Sequence, residues 1–246
     1  MGIVVEGAEG RFRDCRLNRL SFAGVRLLGA SSATFDELIV TDTPVGLDAR
    51  GTSVGRFDRA MLSECRPLAV SVVDEARLTI SESVVADSGA GAGVQGSASL
   101  VVKSSELRDL ESFGMIAMAT STLVLDGSRL LRPGAIGVIG LHDAFVDVRD
   151  TTVKDAADIG FRLLDKCSGQ IAGCTDGGRR ARGDQERLRT CRRTDLLASD
   201  DHDQRREREG PDRRAGDEHL QHPDLLQGVQ RADRHGQRVR GADPET

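Results

Sequence analysis

Apolar positions recur along residues 1–174 at a step of about 22–23, far longer than the period of a helix or a strand. One ladder runs Phe12, Phe35, Phe57, Ile80, Val102, Leu125, Val148 and Ile171. Three residues after each member comes a second, mostly small set: Cys15, Leu38, Ala60, Ser83, Ser105, Ser128, Thr151 and Cys174. A third, wholly apolar ladder follows two residues later through Leu17, Val40, Leu62, Val85, Leu107, Leu130 and Val153. A fixed period of about 20–50 residues marks a solenoid, in which each repeat buries its apolar face only against its neighbours.

Within each repeat the pattern predicts three short strands. Gly2, Gly24, Gly46, Ala69, Gly93, Gly114, Gly137 and Gly160 open the repeats, each followed by period-two alternation. The first and third residues after the opening position are expected to point inward and the middle one outward. Glycine there is expected to supply a corner conformation that other residues resist. A second strand carries the Phe12 ladder, and a short third strand follows the small-residue bend. Polar corners such as Thr41-Asp42, Ala86-Asp87, Arg108-Asp109 and Lys154-Asp155 close the circuit. No stretch of about ten residues in the repeats has helical period, and L-x-x-L-x-L-x-x-N is absent, which argues against a leucine-rich repeat. No hexapeptide period of a left-handed β-helix shows either. The expectation is an all-β parallel β-helix solenoid of about eight coils.

The segments AVSVVDEARLTISESVV (69–85) and GVIGLHDAFVDVRDTTV (137–153) carry G/A-V-x-V followed by A-x-L-x-I-x-x-S-x-V. This pattern resembles the right-handed parallel β-helix repeats of the pectin lyase-like superfamily. It is most similar to degenerate repeats found as extra domains in actinobacterial multidomain proteins. The resemblance implies a right-handed coil. It says little about activity, because one fold hosts unrelated functions.

Composition narrows the field. The chain has no Trp or Tyr, 3% aromatic residues and 28 Gly, which suits short strands and tight corners. A net charge of -5 argues against nucleic acid and anionic membrane as partners, since both attract basic surfaces. No apolar run approaches the roughly 20 residues of a membrane span, and MGIVVEGAEG has no charged leader before an apolar core, so cytoplasmic residence is the expectation. Of five Cys, Cys15 and Cys174 fall on the small-residue ladder at opposite ends of the stack, and Cys65 and Cys167 are placed in corners. Buried free thiols are expected rather than disulfides, and no spacing suggests a metal or cofactor.

Candidate chemistry lies on outward positions. On the opening strand these read Val4, Arg26, Asp48, Ser71, Gln95, Ile116, Ile139 and Arg162. Arg26, Asp48, Ser71 and Gln95 form a polar stripe suited to sugar hydroxyls or a uronate, with an ordinary solvated face as the plainer alternative. On the second strand the outward ladder is Arg13, Asp36, Asp58, Ser81, Lys103, Asp126, Arg149 and Ala172. Opposite charges there suggest pairing of Arg13 with Asp36, Lys103 with Asp126, and Asp126 with Arg149. Asp36 and Asp58 lie one rung apart, near the separation of roughly 5 Å that retaining glycosidases use. Neutralisation by Arg56 or Arg59 is the expected alternative. His142 beside Asp143 reads as a surface corner.

The motifs implied by the enzymes of that superfamily are missing: no calcium-binding acidic cluster with a basic partner, no G-H-G, no D-P-H-D. The reading is therefore a non-catalytic scaffold or interaction module presenting a sheet face to a protein or polysaccharide. A polysaccharide-active lyase, hydrolase or epimerase is the alternative.

Residues 175–246 contain no Lys, Ile, Phe, Met or Asn and are dominated by Arg, Asp, Gly, Gln and His. Too little apolar surface exists there to offset ordering entropy, so an irregular or disordered segment is expected. His219 and His222 would share a helix face but lack a third metal ligand. The composition is also what a GC-rich coding region yields out of frame, and a shifted translation near codon 175 is expected to restore glycine-led repeats. Met1 falls within a repeat and leaves an apolar end. Solenoids need polar caps, so end-to-end association, or a place in a longer protein, is expected.

Overall fold

The computed structural model describes residues 1–177, and among them there are only strands and turns. They form a parallel β-solenoid of about seven turns. One sheet stacks eight strands: Glu9–Arg13, Ser32–Asp36, Val54–Asp58, Arg77–Ser81, Ser99–Lys103, Thr122–Asp126, Phe145–Arg149 and Ser168–Ala172. The other two faces merge into one 14-stranded sheet, because Ile39–Ala49 and Met61–Val72 run unbroken round the corner between them.

The ladders of the sequence are the register of the backbone. Phe12, Phe35, Phe57, Ile80, Val102, Leu125, Val148 and Ile171 are successive partners in the 8-stranded sheet. Leu17, Val40, Leu62, Val85, Leu107, Leu130 and Val153 are partners on the third face. A one-residue slip would turn every one of these side chains to solvent, which is why the register is so strongly specified.

Each rung turns its three corners with single left-handed residues, again in columns. The first corner column is Asp14, Glu37, Arg59, Glu82, Ser104, Gly127, Asp150 and Gly173, with φ between 47° and 64°. The second is Arg19, Asp42, Glu64, Asp87, Asp109, Arg132 and Asp155, and the third Gly7, Gly29, Gly51, Asp74, Gly96, Ala119, His142 and Asp165. A non-glycine residue in this region costs roughly 1–2 kcal/mol. Some of that cost is offset where a corner carboxylate accepts the backbone N–H of the corner one rung earlier, as Asp74 does from Gly51 at 3.0 Å and Asp165 from His142 at 3.3 Å.

The opening glycines serve a different purpose from the one their position suggested. None of Gly24, Gly114 and Gly137 is left-handed; a Cβ on each would lie 2.7, 2.3 and 2.4 Å from the carbonyl oxygen of the opening residue one rung on. Close approach, not corner conformation, demands glycine. The same criterion corrects the fifth rung. Gly91 opens it, with a Cβ that would meet Gly114 O at 2.2 Å, and Ala92 and Val94 point inward beside Val70 and Val72. Gly93 therefore takes the outward position next to Ser71. In Gly-Ala-Gly-Ala-Gly (89–93) two frames satisfy the alternation equally, so the pattern alone could not choose.

Two hydroxyl columns show how burial is handled. Ser83, Ser105 and Ser128 each accept the backbone N–H of the residue one rung earlier, at 2.9, 3.1 and 3.3 Å, and each donates to the carbonyl two residues back. Ser31 and Ser53, by contrast, have buried Oγ atoms with no partner. Their column continues as Ala76, Ala98, Ser121 and Ala144. Ser105→Ala is expected to cost about 1–3 kcal/mol by orphaning the Ser83 N–H. Ser53→Ala is expected to be neutral within about 0.5 kcal/mol or stabilising. Urea unfolding of the two variants checks the contrast.

Cys15, Cys65 and Cys167 are free thiols. Cys65 follows the left-handed corner residue Glu64, where the strand Met61–Val72 rounds its corner, and is fully buried, with its Sγ 3.6 Å from Thr43 Oγ1. Burial raises the pKa of both Cys65 and Cys167. Sheet pairing passes the expected boundary at 174, because Thr175–Gly177 pairs with Thr152–Lys154 and sets Asp176 opposite Val153. The expectations for the rest of the 175–246 segment, including His219, His222 and the reading frame, lie outside the described residues. No helix among the described residues is long and apolar enough to cross a membrane.

Candidate functional site

The polar stripe of the opening strands is built by register. Arg26, Asp48 and Ser71 occupy the same outward step on three successive rungs. Asp48 sits between two guanidinium groups: Arg26 Nε from the preceding rung at 3.0 Å from Oδ2, and Arg50 Nε, from the residue just past Asp48's own strand, at 3.1 Å from both oxygens. Only 1% of the Asp48 side chain is exposed, against 11% for Arg26 and 19% for Arg50. Arg26 also lies over the Phe22 ring, 4.9 Å from its centroid, a cation–π contact. Ser71 is buried as well.

Gln95 does not belong to this stripe. Its backbone N–H bonds Val72 O, which places it past the strand Ala92–Val94 at the start of the corner, two residues beyond the outward step that Gly93 occupies. The stripe therefore loses its fourth polar member and ends in a glycine. Arg50 and Phe22 are the members that the ladder reading missed. Arg50 was detectable, because residues i and i+2 share a face of a strand and Asp48-Ala49-Arg50 sets opposite charges at that spacing.

Asp36 and Asp58 are in register on neighbouring rungs of the 8-stranded sheet. Each is held by arginine. Asp36 takes Arg13 at 3.3 Å and the Arg59 guanidinium on its other oxygen. Asp58 takes Arg56 Nε at 2.8 Å and the Ser81 hydroxyl. Burial by itself pushes the Asp58 carboxyl up, but the Arg56 and Ser81 hydrogen bonds outweigh it and hold the group below its ordinary value. A carboxyl so held is a poor general acid near neutral pH.

The remaining charges follow the same habit. Arg149 donates to Asp147 in its own strand, Nε to Oδ1 at 3.0 Å and Nη2 to Oδ2 at 2.5 Å, rather than to Asp126 one rung back. Arg132 bonds Asp109 at 2.6 and 3.1 Å and keeps that carboxyl below its ordinary value. His142 takes part in a corner column, with Nδ1 accepting the Ala119 N–H at 3.4 Å. Its partners are on neighbouring rungs, not Asp143.

No three His, Cys, Asp or Glu side chains come together as a metal site among the described residues. A cavity between the middle rungs, lined by Val70, Ile80, Leu100, Val102, Leu107 and Met115, amounts to about 10 Å³. It is a packing void without room for a ligand. Asp36, Asp48, Asp58, Asp109 and Asp147, on the outer faces, are each engaged by guanidinium groups.

No protein-family model matches this chain, and no curated protein matches it.

Proposed function

We propose that this chain is a non-catalytic β-helical scaffold, coiled right-handed as in pectin lyase-like proteins, that presents an exposed sheet face to a protein or polysaccharide partner. The observation that carries the reading is the state of the candidate carboxylates. Asp48 is buried between Arg26 and Arg50, while Asp36 and Asp58 each accept from arginine. A glycosidase needs one carboxyl free to carry a proton or meet a sugar carbon; here the strongest candidates are used as ion pairs. The same proposal places the chain in the cytoplasm, consistent with the free thiols of Cys15, Cys65 and Cys167, and within a larger bacterial protein.

The test is an assay of the whole chain against uronate-containing and neutral glycans, with Asp48→Ala alongside. The scaffold reading expects no turnover from either protein. Turnover by the native chain that Asp48→Ala abolishes would overturn it in favour of a polysaccharide-active enzyme.

A further inference from the structure

We propose that the outer face of the opening strands Phe113–Ala117, Ile136–Gly140 and Ile159–Leu163 is a contact surface for a second copy of this chain, met face to face about a two-fold axis. Beyond Gly93 the outward step that carried Arg26, Asp48 and Ser71 turns apolar, with Ile116 and Ile139 in register. Beside it runs a second column, through the register partners Phe113, Ile136 and Ile159. A Cβ on Gly114 or Gly137 would meet the core side chains Leu130 and Val153, so these glycines face inward and the residue before each faces out. All five apolar side chains are half-buried. Met115, Ala117, Val138 and Phe161 of the same strands belong to the core or pack on it, whereas none of the five does. Adjacent apolar side chains turned out from a sheet in this way mark a contact surface.

The face is self-complementary. A two-fold axis normal to the sheet, midway between Ile136 and Ile139, reverses both strand direction and rung order. Ile136 then meets the copy's Ile139 and Ile116 meets the copy's Ile159, each pair twice in an isologous contact. Phe113 meets the copy's Arg162, an exposed guanidinium that gains an aromatic face. At the margins Arg132 meets the copy's Asp143, and Lys166 its Asp109. Every other charge on these stretches meets a neutral residue: Glu111 meets Leu164, Asp155 meets Thr120, Asp158 meets Ala117, Asp165 meets Leu110 and His142 meets Pro133. No like charges are brought opposite one another. Arg132 also bonds its own Asp109, yet 55% of its side chain is exposed. Three strands about 4.8 Å apart make a patch below the usual size of a permanent interface, so the dimer is expected to be weak and reversible. The contact does not depend on whether a sheet face binds a glycan, so either reading can fail alone.

Sedimentation velocity on the full chain over a range of concentrations tests it. The native chain is expected to show a reversible monomer–dimer equilibrium. Ile139→Glu is expected to weaken it by about 100-fold or more, because a carboxylate would be buried against Ile136 of the copy. Arg132→Glu and Asp143→Arg are each expected to weaken it by about 30-fold, since each turns two attractive pairs into repulsive ones. Mixed in equal amounts, the two are expected to form a heterodimer within about threefold of native affinity, because glutamate at 132 then faces arginine at 143 and the native Arg132 faces the native Asp143. Arg132→Glu also loses the Asp109 bond, so unfolding midpoints are measured for all variants. Should Arg132→Glu fail to fold, Asp143→Arg decides alone, because Asp143 is exposed. A native chain monomeric up to its solubility limit overturns the proposal. So do Ile139→Glu or Asp143→Arg variants that dimerise like the native chain, or a mixture no tighter than its components.

Discussion

Gly114→Ala is expected to destabilise the solenoid by about 3 kcal/mol, through overpacking that the backbone cannot relieve. The new Cβ would stand 2.3 Å from Gly137 O and 2.8 Å from Leu130 Cδ2. The first contact is with main chain held on both sides by sheet hydrogen bonds, so the rung cannot move away without breaking its ladder. Gly127→Ala is the informative control. Gly127 is left-handed at φ 57°, but a Cβ there meets nothing nearer than Ser104 Oγ at 3.8 Å, so the expected cost is about 1 kcal/mol. Thermal or urea unfolding of the pair separates the two roles of glycine. If Gly127→Ala proved the more damaging, corner conformation and not rung spacing would be the constraint.

Phe35→Ala is expected to cost about 3–5 kcal/mol. Phe35 is fully buried, with Phe12 and Phe57 stacked at 4.6 and 4.8 Å on its two faces. The spacing of rungs is set by backbone hydrogen bonds, not by side chains, so the void cannot close and the flanking rings lose their contacts outright. Phe35→Leu is expected to lose less, because Leu125 fills the equivalent step of the same ladder. Urea midpoints for the three proteins should rank native, Leu, Ala. An alanine variant within 1 kcal/mol of native, against an expected loss of about 3 or more, would mean the column is not a continuous core.

Much of this fold is legible because the sequence repeats one decision many times. An inward Phe, Ile, Val or Leu at a fixed step leaves one register that buries them all, and the backbone partners from Phe12 to Ile171 follow it. Legibility fails where side chains carry no contrast. In Gly89 to Gly93 nothing distinguishes inward from outward, and the fifth rung was therefore misplaced by two residues, taking Gln95 with it. The second corners were legible, since Asp42, Asp87, Asp109 and Asp155 are left-handed members of the polar corners read from the sequence, whereas the first carry less contrast. Asp14, Arg59, Ser104 and Gly127 share a left-handed backbone but no common side-chain chemistry, so only their period marks them.

The candidate site divides in the same way. Position alone found Arg26, Asp48 and Ser71 on one step, because register is a backbone property. It could not foresee that Asp48 would be closed off at 1% exposure, since that depends on where two long arginine side chains fold. The rule that does transfer is the i, i+2 pair on one strand face. Asp48 with Arg50, Arg56 with Asp58, Glu106 with Arg108 and Asp147 with Arg149 all obey it.

The central claim is that successive repeats lie one above another in parallel register. Methyl nuclear Overhauser contacts in the labelled chain test it most directly. Stacked rungs require contacts between Ile80 and Val102 and between Val102 and Leu125, residues adjacent in register. Their absence, with contacts instead between neighbouring strands of the sequence running antiparallel, would contradict the solenoid and everything built upon it.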